Sequence, residues 1–98
     1  MANNNQVSSA QNYEASFSIL VTSIASAAAM SLGVAPHPQT GKTEPDKAMA
    51  RFNIDLLAIL MEKTKNNLSD DEQNLINHLL QDLRMKFVQL EQKLNVNK

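Results

Sequence analysis

Ser69–Leu94 reads SDDEQNLINHLLQDLRMKFVQLEQKL, and its spacing decides the architecture of the whole chain. Ile76, Leu80, Leu83, Phe87, Leu90 and Leu94 alternate by four and three residues, the heptad seam of a coiled-coil-like helix. Leu75 and Leu79 widen its first half. Ser69 and Glu72 stand at capping-box spacing, and Asp70, Asp71 and Glu72 place negative charge where the helix dipole favours it. Asp82 and Lys86 form an i,i+4 pair in the favourable order on the flank of the seam.

Working backwards, Lys65-Asn66-Asn67 marks the end of a preceding helix, because asparagine tolerates the left-handed turn. That second helix is expected from about Glu44 to Lys65. Thr43 and Asp46 resemble a capping box, with Pro45 tolerated in the first turn. Met49, Phe52, Leu56, Ile59 and Leu60 make its main stripe, and Ala50, Ile54, Leu57 and Met61 make a second one. So wide an apolar arc requires cover on more than one side. The short link between helices two and three makes them antiparallel neighbours, each about 30–36 Å long.

A first, shorter helix is expected over Phe17–Leu32, with Ser16 as N-cap and Gly33 ending it in a left-handed conformation. Phe17, Leu20, Val21, Ile24 and Ala28 share one face, and the alanines and serines around them allow a neighbouring backbone to come close. Between Gly33 and Pro45 the chain carries Pro36, Pro38 and Pro45, a stiff connector longer than most helix–helix loops. The Asn-, Gln- and Ser-rich start, residues 1–15, reads as a disordered tail without the basic n-region of a secretory signal. Residues 16–94 then form a single helical domain, and 95–98 a frayed end. The fold class is all-α: a helical hairpin plus a first helix, with the surplus apolar surface of helix two completed by a homodimer.

Composition excludes several classes of function. Nine basic against ten acidic residues give a net charge of −1, without the excess that drives phosphate-backbone binding. Four aromatic residues (Tyr13, Phe17, Phe52 and Phe87) cannot build a stacking platform, so no nucleic-acid partner is expected. The absence of cysteine excludes disulfides and thiolate metal sites, and suits a reducing cytoplasm.

FSILVTSIASAAAMSLG, the P-x-P-x-TG of the connector, NIDLLAILMEKTKNNLSDDE and LLQDLRMKFV together resemble a family of small bacterial proteins, domain of unknown function eighteen forty-four. The likeness runs from about Phe17 to Val88 and is most specific at Ile54–Leu57, Glu62–Lys65 and Asp82–Met85. Asn66 departs from the pattern, standing where the family favours glycine, as does the Ala/Ser-rich first helix. The resemblance implies a bacterial, cytoplasmic protein. It supplies no activity, ligand or catalytic residue.

Apparent motifs have plainer readings. Gly41-Lys42-Thr43 evokes a phosphate loop, but Pro36 stands where the first glycine must be. Residues 17–34 carry no charge, yet their Ser, Thr and Ala content suits a buried helix better than a membrane span, so membrane contact is not expected. His78 and Asp82 lie one turn apart, and two ligands do not make a metal site. His37 has no partner that would activate it. Asp55 borders the stripe of helix two, with Arg51 one turn away on the same helix and Arg84 on the seam of helix three as candidate partners; Asp55 and Arg84 are expected to pair and set helix register. With Met49, Phe52, Leu56, Ile59, Leu83 and Phe87 they make the expected interface. The chain is expected to be a self-associating interaction module with a further, unidentified protein partner, no catalytic activity and no cofactor. A membrane-associated accessory protein using Phe17–Leu32 is the alternative. A small ligand-binding or enzymatic bundle with a methionine-lined groove comes third.

Overall fold

Ser16 begins the first helix as expected: its extended backbone points the Oγ at the Ile19 N–H, 3.1 Å away. The computed structural model describes residues 14–96, in which α1 spans Phe17–Leu32, α2 Lys47–Lys63 and α3 Asp70–Val96. Residues 1–13 of the expected tail and 97–98 of the expected frayed end lie outside these residues, while Asn95 and Val96 still belong to α3. Gly33 closes α1 at φ 79°. The Gly33 N–H donates to the Met30 carbonyl, and the Val34 N–H reaches back to Ala29.

The start of α2 differs from expectation. Asp46, not Thr43, is the N-cap: its Oδ1 accepts the Met49 N–H at 3.1 Å, so Glu44 and Pro45 lie before the helix. The Asp46 N–H donates to the Ser31 carbonyl at 2.7 Å, tying the start of α2 to the end of α1. Asp46→Ala is therefore expected to cost about 1 kcal/mol, with most of it recovered in Asp46→Asn. Urea unfolding would measure this; equal midpoints for wild type and alanine variant would refute the cap's role.

Thr64 ends α2 two residues early, its Oγ1 donating to the Leu60 carbonyl at 2.7 Å, and Asn66 takes the left-handed turn at φ 70°. The capping box of α3 forms reciprocally: Ser69 N–H to Glu72 Oε1 at 2.9 Å and Glu72 N–H to Ser69 Oγ at 3.2 Å. Asp82 and Lys86 pair at 2.8 Å.

The three helices share one core, and the described residues contain no strand. From α3 come Ile76, Leu80, Leu83, Phe87 and Leu90, all but the last member of the expected seam; Leu94 is exposed. From α1 come Val21, Ala25, Ala28 and Leu32, a face rotated toward the alanines, so that Leu20 is left in solvent. From α2 come Ala50, Asn53, Ile54 and Leu57. Of the main stripe, Met49, Phe52, Leu56 and Ile59 point outward while Leu60 packs against the core; of the second, Ala50, Ile54 and Leu57 point in and Met61 is half-buried beside them. The cause is the close approach of α1. Its alanines let the two backbones come together, which admits a small Ala50 between them and leaves no room for Phe52 or Met49.

Helices α2 and α3 run antiparallel. Lys47 at the start of α2 pairs with Glu91 late in α3 at 3.2 Å, and Arg51 lies over the Phe87 ring, 5.8 Å from its centroid. With 27 residues, α3 is about 40 Å long and overhangs α2. There Gly33, Val34, Thr43 and Pro45 of the connector line a cleft with Leu90 and Leu94.

Candidate interaction face on helix two

Because α2 turns Ala50, Ile54 and Leu57 inward, helical geometry sends Met49, Phe52, Leu56 and Ile59 to its outer side. They are 47%, 56%, 37% and 55% exposed. Their spacing of three, four and three is a second heptad seam, left largely open by the described residues. Lys63 occupies the next seam position, and among the described residues it makes no ion pair.

The border of the seam corrects another expectation. Asp55 pairs with Arg51 on its own helix at 3.4 Å, both side chains being mostly exposed. Arg84 is exposed on α3 and forms no ion pair among the described residues. The polar contacts between α2 and α3 are instead Lys47–Glu91 and Arg51 over the Phe87 ring. Leu83 and Phe87 are buried in the core, so of the eight residues expected at an interface only six are on the surface.

Beside the seam a groove of about 460 Å³ runs between α1, α2 and the connector. Ala27, Met30 and Met49 give it an apolar wall, while Lys42, Glu44, Asp46 and Asn53 supply its polar groups. Asn53 was not singled out by its sequence position, yet it is the buried polar residue of the core, 9% exposed. Its amide nitrogen donates to the Met49 carbonyl at 3.1 Å and to Ser31 Oγ at 3.4 Å. Its Oδ1 accepts no hydrogen bond from the described residues.

The model of the family described as Domain of unknown function (DUF1844) matches residues 14–89. The chain belongs to that family. No curated protein and no solved structure matches it. The DUF1844 match takes in α1, α2 and most of α3, so the outward seam and the groove both lie within the family's domain.

The remaining candidates resolve into ordinary structure. Gly41 and His37 close a turn of the connector: the Gly41 N–H donates to the His37 carbonyl at 2.7 Å, and the His37 N–H to that of Lys42 at 2.8 Å. That spends amides a phosphate loop would turn to its ligand. His78 is exposed, and Asp82 is engaged by Lys86. Among the described residues no group of three or more His, Cys, Asp or Glu side chains could hold a metal ion. Among the described residues no helix is long and apolar enough to cross a membrane.

Proposed function

We propose that the chain is a non-catalytic, self-associating helical module whose α2 seam packs against a second copy, the resulting dimer being the form that meets other proteins. One observation carries this reading: Met49, Phe52, Leu56 and Ile59 lie exposed at heptad spacing on a single helix. Large apolar groups in water at that spacing are complementary to another helix, and each half-exposed side chain gains on the order of 1 kcal/mol by burial. The charge around the seam favours a copy over a strongly charged partner. Helix α1 carries no ionisable residue, and Asp55 is already neutralised by Arg51. Between Met49 and Ile59 the face therefore offers little to an acidic or basic ligand and sets up no repulsion against itself.

The test is the mass in solution. Light scattering at micromolar concentration is expected to give twice the chain mass. Phe52→Glu is expected to raise the dissociation constant at least about tenfold while leaving the helical circular dichroism unchanged. A wild type that stays monomeric through this range overturns the proposal. Flotation with liposomes separates it from the membrane-associated alternative, which requires the chain to move with lipid.

A further inference from the structure

We infer, resting on the self-association just proposed, that the two copies pair α2 antiparallel and that the partner's Lys63 enters the groove beside Met49. The seam itself allows two orientations. In a parallel pair, equivalent residues face each other, and Lys63, the seam position after Ile59, meets the partner's Lys63. In an antiparallel pair the ends exchange. Met49 meets the partner's Ile59, Phe52 the partner's Leu56, and the partner's Lys63 arrives at the level of Pro45.

Three observations favour the second arrangement. First, the groove at that level is lined by the carboxylates of Glu44 and Asp46 against the single ammonium of Lys42. His37 lies there too. The two carboxylates outnumber the ammonium by one, which favours an incoming cation. Second, Asn53 is nine-tenths buried, lines the same groove, and holds a carbonyl oxygen that accepts no hydrogen bond from the described residues. An alkylammonium satisfies this set: three N–H donors for the acceptors, and a methylene stem to lie along Met49 and Met30. Third, Lys63 is the charge that stands on the seam, and it has no ion-pair partner in its own chain among the described residues. Antiparallel packing also sets the positive end of one helix dipole beside the negative end of the other. The groove is thus half of a site that the second copy completes, and two-fold symmetry makes two such sites per dimer.

The chain contains no cysteine, so introduced thiols report orientation without background. Mixing Met49→Cys with Ile59→Cys chains under oxidising conditions is expected to give the cross-linked heterodimer. Ile59→Cys alone is expected to remain uncross-linked, since its two copies stand about 15 Å apart along the axis, beyond disulfide reach. Lys63→Glu is expected to weaken the dimer roughly fivefold, and Glu44→Lys in the same chain to restore it. Self-cross-linking of Ile59→Cys as readily as the mixture, or no recovery in the double variant, overturns the inference. If either occurs in a protein that is dimeric and is made monomeric by Phe52→Glu, the orientation alone is wrong. A monomeric wild type removes both proposals together.

Discussion

Leu57→Ala is expected to destabilise the fold by about 3 kcal/mol, whereas Leu56→Ala, one residue earlier, should cost less than about 1 kcal/mol when unfolding is measured under monomeric conditions. Leu57 is among the largest side chains with no solvent exposure, in company with Ile76 and Leu80 from α3 and Val21 from α1. Leu57 belongs to the one core cluster to which all three helices contribute. Removing a leucine there forfeits its transfer energy and leaves a cavity that three packed helices collapse into only partially. Over a domain of this size, 1 kcal/mol corresponds to roughly 4–8 °C, so the melting temperature should fall by more than about 10 °C. Leu56 sits a hundred degrees round the same helix on the outward seam, and its truncation empties no enclosed volume. It should act on association instead, raising the dissociation constant with the unfolding midpoint of the monomer little changed. Equal losses of stability at the two positions would show that the inward face of α2 has been wrongly identified.

That pair of positions also marks where the amino-acid sequence stops being sufficient. Helix α3 is legible because its apolar residues follow one period and its capping box is local: Ser69 and Glu72 find each other within a single turn. Gly33 and Asn66 are legible for a similar reason, since a left-handed residue after an apolar run is a property of the run's own end. Helix α2 is different. It is apolar around most of its circumference, so periodicity alone presents two apolar faces without saying which packs inside the chain. What selects the inner one is tertiary. The alanines of α1 bring a second backbone so close that Ala50 fits between the helices and phenylalanine does not. With Arg51 drawn over Phe87 on the side facing α3, Asp55 finds its counter-charge one turn away on its own helix. Asn53 was illegible for a third reason: a lone asparagine in a helix carries no signal until its neighbours Ser31 and Met49 are placed.

Gly33→Ala is the other substitution with a large expected effect, about 2–3 kcal/mol of lost stability, and it reaches the proposed interface as well. Two independent costs add at this position. The backbone stands at φ 79°, a conformation that costs an L-residue roughly 1–2 kcal/mol relative to glycine. A Cβ built there would also lie 2.9 Å from the Thr43 carbonyl oxygen and 3.2 Å from the Pro45 nitrogen. Both are backbone atoms of the connector and cannot swing aside as a flexible side chain could. The connector cannot yield freely either, because the Asp46 N–H is held by the Ser31 carbonyl at 2.7 Å. Gly41 supplies the control. It has a similar φ of 70°, but an added Cβ meets nothing within 4 Å, so Gly41→Ala should show the backbone cost alone, about 1 kcal/mol. The difference between the two variants isolates the close packing of the connector on the end of α1. Since that connector carries Glu44 and Asp46 to the groove, pushing it outward should weaken association in Gly33→Ala but not in Gly41→Ala. Urea unfolding and light scattering on both proteins decide the matter. Matching midpoints for the two glycine variants would mean that the connector is not packed against Gly33, and that the groove's acidic edge is held by something else.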